Sequence, residues 1–144
     1  MALRFLLLGF LAGAISVPVF HQLTVMALHT AGYVPNPPFS FRPVPPFGVP
    51  AILNQTFWGG MWGLLFGAIM MARPRLSALV IGVGVGLLGA ALFGLTLLPW
   101  LRGQPMPVTD LNRWWRPMLI NGTWGLGMGI IFAALRGRGS ARKA

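Results

Sequence analysis

The sequence predicts an all-α integral membrane protein, a four-transmembrane-helix bundle built from two tandem helical hairpins in parallel orientation. Three observations predict this class. Of the 144 residues, 56% are hydrophobic and 8% are charged, whereas about 25% of the residues of a soluble domain are charged. Several stretches are apolar for the roughly 20 residues that a helix needs to cross a bilayer. The second half of the chain also repeats a motif of the first half.

The predicted spans are residues 5–28, 51–72, 77–98 and 117–135. None contains Asp, Glu, Lys or Arg. Backbone groups in lipid have to satisfy each other, so long apolar stretches of this kind predict helices. The first span follows Arg4 and contains a small-residue site at 12–14, as signal peptides do. Because its apolar character continues to Leu28, we expect an uncleaved first helix.

We expect a single membrane domain over residues 1–144. Hairpin one covers about 5–72, hairpin two covers about 77–135, and a basic cytoplasmic tail covers 136–144. The tail is short and directly follows a span, so contact with anionic lipids explains it better than binding to nucleic acid.

Basic residues predict the orientation of the bundle. On one side the spans are flanked by Arg4, Arg73, Arg75, Arg136, Arg138, Arg142 and Lys143. On the other side lie Arg42, Arg102, Arg113 and Arg116, together with the acidic Asp110. The positive-inside rule therefore predicts that both termini are cytoplasmic.

The composition also excludes several classes of function. The chain has eleven Lys and Arg, one acidic residue and no Cys, so a soluble enzyme, a disulfide scaffold and an acidic disordered chain are excluded. No set of Cys, Asp and Glu is available for a metal site. His21 and His29 lie about 12 Å apart along one helix, too far for both to bind one haem iron. We expect no metal, no cofactor and no enzymatic activity.

The repeat supports the two-hairpin architecture. Residues 50–57 align without gaps on residues 117–124, and both segments contain Pro-x-x-x-Asn-x-Thr. Pro is favourable in the first turn of a helix, so independent convergence on a good helix start is the alternative explanation. Both Asn-x-Thr triplets match a glycosylation signal, but a shared helix-start motif explains them better.

Small residues recur at a spacing of four in every span, which predicts close helix packing. These glycines are Gly9, Gly13, Gly59, Gly63, Gly67, Gly82, Gly86, Gly94, Gly125 and Gly129. A phosphate-binding loop is a poor alternative, because the Gly82 to Gly86 segment lies inside an apolar helix and has no following Lys.

Polar side chains within the spans gather near the outer face, one to three turns below the helix ends. The candidate ligand-binding residues are His21, Gln22, Asn54, Gln55, Trp58, Asn121, Thr123, Trp124, Arg113 and Arg116. One interpretation is hydrogen bonding between helices. The other is a pocket for an anion, a lipid headgroup or an amphipathic quinone-like molecule, next to two positive helix N-termini.

The first outer loop is rich in Pro and Phe, and this composition favours extended polyproline geometry. We expect the rings of Phe39, Phe41 and Phe47 to fold the loop back onto the bilayer or the helices as a lid.

Several strings resemble one family. They are Phe20-His21-Gln22, Pro43-Val44-Pro45-Pro46-Phe47-Gly48-Val49-Pro50, Phe57-Trp58-Gly59-Gly60-Met61-Trp62-Gly63 and Asn121-Gly122-Thr123-Trp124-Gly125. Over nearly its whole length the chain resembles a family of small, four-span, uncharacterised bacterial inner-membrane proteins. The resemblance implies the membrane class and location, and it implies no activity.

We therefore predict a non-enzymatic, multi-pass protein of the bacterial inner membrane, an accessory or assembly component. The alternative is a small transporter or a lipid-, anion- or quinone-binding protein that uses the outer polar layer. The expected partners are the lipid bilayer, with anionic lipids at the basic tail, and a homo-oligomer or larger membrane complex.

Overall fold

The computed structural model describes residues 2–106 and 110–141. Its long helices are α1, Ala2–Thr30; α2, Ala51–Ala72; α3, Ala78–Leu101; and α4, Trp115–Ala141. α4 continues beyond the predicted span into the region assigned to the basic tail. Arg142 and Lys143 of that tail lie outside the described residues.

Three segments are long and apolar enough to cross a membrane: α1, α3 and Leu111–Gly137, which contains most of α4. α2 has 22 residues and no charged side chain, but its mean hydropathy is lower because polar residues and Trp and Gly occupy its first half. The second predicted span is therefore a helix, and its passage through a membrane stays a prediction.

Within each hairpin, the two helices touch through glycine. The closest pairs are Gly9 with Gly63 and Gly67, Gly13 with Gly59 and Gly63, Gly82 with Gly125 and Gly129, and Gly86 with Asn121 and Gly125. In most of these pairs a Cβ added to one residue would overlap backbone atoms of the other. In each hairpin, later residues of the first helix contact earlier residues of the second helix. Both hairpins are therefore antiparallel.

Gly94 does not share this packing. A Cβ at Gly94 would meet no atom within 4 Å, so the prediction that it packs against a helix is wrong. The reason lies in the wider π-helical segment Val85–Ala91 in the middle of α3. A spacing of four keeps residues on one face only in an α-helix, and π geometry rotates the following residues away from it.

A second π-helical segment, Val17–His21, interrupts α1. Pro18 lies in this segment and has no N–H, so it cannot make the usual α-helical bond to the carbonyl one turn earlier. The N–H of Gln22 instead donates to the carbonyl of Val17. This segment places Val17 and His21 beside the functional site described below.

The two hairpins are joined mainly by α1 and α4. The indole N–H of Trp124 donates to the carbonyl of Gly13 at 2.9 Å, and the hydroxyl of Ser16 donates to the carbonyl of Trp124 at 2.6 Å. All of these groups are buried. Fully buried apolar side chains, among them Phe66 and Phe132, complete the core between the helices.

The Pro-rich loop forms a short antiparallel β-hairpin, which the sequence did not predict. β1, Pro43–Val44, pairs with β2, Val49–Pro50. Gly48 has φ +68°, a conformation that favours glycine, and permits the tight turn. The rings of Phe41 and Phe47 are 73% and 87% exposed, so these two rings do not pack on the helices, and their folding onto the bilayer stays a prediction.

Candidate functional site

A cavity of about 390 Å³ lies between the four helices, in the half of the bundle nearest residues 31–50 and 102–106. We call this half the loop end, and the opposite half, with the start of α1 and the turn 73–77, the termini end. The polar wall residues are His21, Asn54, Gln55, Arg102 and Asn121. The larger apolar wall residues are Val17, Trp58, Trp62, Phe93, Leu98 and Trp124.

Residues of both α2 and α3 line the cavity. Trp58 lines the cavity and is 54% exposed at the bundle surface. Deeper in the bundle, the ring of Trp62 packs edge-on against Phe93, with ring centroids 5.8 Å apart. A molecule in the cavity therefore contacts aromatic rings, one of which is partly exposed at the bundle surface.

Many of the predicted ligand-binding residues lie on this wall, namely His21, Asn54, Gln55, Trp58, Asn121 and Trp124. The structure thus brings the polar layers of both hairpins into one cavity. Trp124 uses its N–H in the bond to Gly13, so it offers a ligand its ring only.

Gln22 was predicted as a ligand-binding residue, but it is 3% exposed and does not line the cavity. Its side-chain oxygen accepts the N–H of Phe39 at 2.6 Å. Its amide nitrogen donates to Gln55 Oε1 at 2.7 Å and lies 3.2 Å from His21 Nδ1. Gln22 therefore positions two wall residues and the first loop, and all of its polar atoms are used in doing so.

Thr123 also lies away from the cavity wall. Its hydroxyl is 2.8 Å from the hydroxyl of Thr24 and 2.9 Å from the carbonyl of Leu119. The contact with Thr24 links α4 to α1, and the bond to the Leu119 carbonyl satisfies the hydroxyl within its own helix. For this residue the arrangement matches interhelical hydrogen bonding and not ligand binding.

Arg113 and Arg116 do not line the cavity either. Arg113 forms an exposed ion pair with Asp110, with 2.9 Å between Nε and Oδ2. The guanidinium of Arg116 lies 5.4 Å from the centre of the Trp115 ring, and its Nε is buried with no hydrogen-bond partner among the described residues.

Asn54 and Asn121 occupy equivalent positions in the repeat but differ in their hydrogen bonds. The amide of Asn121 donates to the carbonyl of Pro117, one turn earlier in α4, at 2.9 Å. The amide of Asn54 has no hydrogen-bond partner among the described residues, although Asn54 also lies four residues after a proline at the start of its helix. The cavity therefore contains one amide that is satisfied by its own helix and one that is not.

Arg102 is the one charged residue on the described wall. It follows the last turn of α3, where a cation is favourable next to the negative end of the helix dipole. The sequence has no acid other than Asp110, which is paired with Arg113. The potential in the cavity is therefore positive at its loop end.

The wall that α3 contributes was missed by sequence analysis, since Phe93, Gly94 and Leu98 are ordinary residues of an apolar helix. The sequence predicts Arg102 outside the spans, at the outer side, and gives no sign that it lies beside the polar residues within the spans. Trp62 was the one available signal, because it lies one helical turn from Trp58 and shares its face.

Residues 2–106 and 110–141 contain no cluster of three His, Cys, Asp or Glu that could hold a metal ion. No protein-family model, curated protein or solved structure matches this chain.

Proposed function

We propose that this chain is a multi-pass protein of the bacterial inner membrane that binds an amphipathic molecule of the bilayer in the loop-end cavity. In this proposal all four helices cross the membrane and both termini are cytoplasmic. The long apolar helices α1, α3 and α4 support the membrane location.

The distribution of basic residues supports the orientation. Arg4 and Arg136 meet at the termini end, where Arg4 Nη2 lies 3.4 Å from the carbonyl of Arg136. Arg136 also donates to the carbonyl of Pro74 at 3.3 Å, within the turn that carries Arg73 and Arg75. A basic end of this kind favours the cytoplasmic side and contact with anionic lipids there.

The observation that carries the binding proposal is the free amide of Asn54 in an aromatic cavity. Asn54 is half-buried, so its amide is open to the cavity, and a hydrogen bond from it to a ligand contributes about 0.5–1.5 kcal/mol. A ligand with a polar head satisfies that amide, while its apolar body contacts Trp58, Trp62 and Phe93. Such a molecule reaches the cavity from the bilayer through the gap between α2 and α3.

The test fills the cavity without disturbing the helix interfaces. A Cβ at Gly94 and one at Gly84 would each meet no atom within 4 Å, but only Gly94 lines the cavity. The wild type, Gly94→Phe and Gly84→Phe are extracted gently from membranes, and bound lipids and proteins are identified by native mass spectrometry. We expect the wild type and Gly84→Phe to retain a lipid-sized ligand and Gly94→Phe to lose it.

Equal ligand retention by Gly94→Phe and Gly84→Phe, or no ligand in the wild type, contradicts the binding proposal. The accessory or assembly role and the homo-oligomer predicted from the sequence are tested in the same spectra. A stoichiometric protein partner together with an empty cavity favours the accessory role.

A further inference from the structure

Arg102 is a cation that no protein acid neutralises. It is exposed at the loop end of the cavity wall, and its side chain has no hydrogen-bond or ion-pair partner among the described residues. Asp110 is held by Arg113 at 2.9 Å, so no carboxylate of this chain remains for Arg102. A ligand with a negative charge supplies the missing partner.

The polar wall also has more free donors than free acceptors. The side-chain N–H groups of Asn54, Gln55, Trp58 and Trp62 have no acceptor among the described residues, whereas the free side-chain acceptors are the amide oxygens of Asn54 and Asn121. His21 Nδ1 lies 3.2 Å from the Gln22 amide nitrogen, and a neutral imidazole that accepts at Nδ1 donates at Nε2. A head with several acceptor oxygens matches this set better than a head with donor groups.

Charge and apolar surface are separated along the helix axis. Leu98 and Gly94 precede Arg102 by one and two turns of α3, about 6 and 12 Å deeper by the rise of an α-helix. The Trp62 and Phe93 rings lie at the deep end. A molecule that fits this gradient has its charge at the loop end and its apolar part between α2 and α3.

From these three features we infer that the ligand is a monoanionic amphiphile, whose oxygen-rich head binds Arg102 and Asn54 and whose apolar body lies against Trp58, Trp62 and Leu98. The inference rests on the proposed function and specifies its ligand class. One cation on the wall matches one negative charge. A fatty-acid carboxylate and a lipid phosphodiester share this chemistry, because both present charged acceptor oxygens to a guanidinium.

The test compares ligands that differ in charge and proteins that differ in one arginine. Oleate, dioleoyl phosphatidylglycerol and the neutral dioleoylglycerol are titrated separately into delipidated protein, and bound fractions are measured by native mass spectrometry. The variants are Arg102→Gln, Arg102→Lys and, as a matched control, Arg42→Gln. Arg42 is an exposed loop-end arginine outside the cavity.

We expect the wild type and Arg42→Gln to bind an anionic lipid more tightly than dioleoylglycerol. Arg102→Gln lowers that affinity by about tenfold or more, as loss of a charge-assisted bond does, and Arg102→Lys restores part of it. Preference for oleate identifies a carboxylate head, and preference for phosphatidylglycerol identifies a phosphodiester head.

Equal binding of dioleoylglycerol and both anions by the wild type overturns the inference, as does an equal loss in Arg102→Gln and Arg42→Gln. If dioleoylglycerol binds at least as tightly as both anions and Gly94→Phe blocks it, the monoanionic ligand is excluded while the proposed function stands. If Gly94→Phe blocks no lipid at all, the proposed function fails as well.

Discussion

Gln22 is the side chain on which the polar contacts of the loop end depend. It connects α1 to Gln55 of α2 and to the backbone of Phe39 in the first loop. Phe39 has φ 52°, a left-handed conformation that costs a residue with a side chain roughly 1–2 kcal/mol. The short bond from its N–H to Gln22 offsets part of this cost.

We expect Gln22→Leu to release the first loop from the bundle. The variant is close in size but leaves the Phe39 N–H and the Gln55 amide without their partner, at a cost of about 1–2 kcal/mol. Hydrogen exchange in detergent should show faster exchange of the Phe39 amide, and the thermal midpoint should fall.

Gln55→Leu is the control for this change, because it removes the bond to Gln22 but not the bond between Gln22 and Phe39. Its Phe39 amide should exchange as slowly as in the wild type. Unchanged exchange in Gln22→Leu would mean that other contacts hold the loop.

The helix interfaces within the hairpins rely on the absence of side chains at a few glycines. In lipid no hydrophobic effect drives helices together, so close backbone contact supplies the attraction. Gly63 faces Gly9, and Gly86 faces Asn121, at distances that leave no room for a Cβ. A Cβ at Gly84 would meet no atom within 4 Å, so not every glycine of α3 lies in a helix interface.

We expect Gly63→Leu and Gly86→Leu to separate the helices of their hairpins. Each side chain would overlap backbone atoms that cannot move aside as a side chain can, and overpacking of this kind costs at least about 1–3 kcal/mol. The measurement is thermal stability in mild detergent, with Gly84→Leu as the control that should keep the wild-type midpoint. A wild-type midpoint in Gly63→Leu or Gly86→Leu would contradict the packing described for that pair.

The two hairpins share a repeated motif and close glycine contacts, but they differ in where an aromatic ring is buried. The offset that aligns Asn54 with Asn121 also places the π-helical segment Val17–His21 of α1 on residues 84–88, which overlap the π-helical segment of α3. The same offset aligns Trp124 with Phe57, yet Phe57 is 52% exposed. Phe57 therefore lacks the buried position that Trp124 has between α1 and α4.

For the whole molecule, the distribution of charge is the basis of the proposed orientation in the membrane. Among the described residues, Arg4, Arg73, Arg75 and Arg136 lie at the termini end, and Asp110 lies at the loop end beside Arg113. The short turn with Arg73 and Arg75 is the kind of loop in which basic residues determine orientation.

Cysteine labelling tests this orientation, because the chain has no Cys of its own. Phe47→Cys lies on the loop between the β-strands, where the native side chain is 87% exposed, and Leu76→Cys lies on the turn between α2 and α3, where it is 46% exposed. In intact cells whose outer membrane is permeable, a membrane-impermeant maleimide should label Phe47→Cys only. Leu76→Cys should react after the inner membrane is opened, and the reverse pattern would contradict the proposed topology.

The limits of α1, α2 and α3 lie close to the predicted spans, because they depend on local chemistry, whereas α4 extends to Ala141, well beyond its predicted end at 135. α2 has the predicted bounds of 51–72, since Pro50 precedes the helix and Arg73 and Pro74 end the apolar stretch. The β-hairpin in the first loop was not predicted. Its strands have two residues each, with Val44 paired to Val49, which is too short for a strand pattern to be recognised among the Pro and Phe residues.

The depth of the polar residues could also be predicted, because depth depends only on the number of residues from a helix end. That number places Asn54, Gln55 and Asn121 at one level, and the structure brings them to one cavity. Which residues share the cavity with them depends on the rotation of each helix about its axis. Rotation is set by packing with the other helices, so the contributions of Phe93 and Leu98 could not be predicted.

The sequence by itself determined the class of protein, the helix limits and the level of the polar layer, because apolar length, proline and glycine act locally along the chain. Only the tertiary structure decided that Gln22 is a positioning residue, that Asn121 is satisfied by its own helix, and that Asn54 and Arg102 remain free. The physical reason is that hydrogen-bond satisfaction is a property of pairs of groups, and the partners come from different helices.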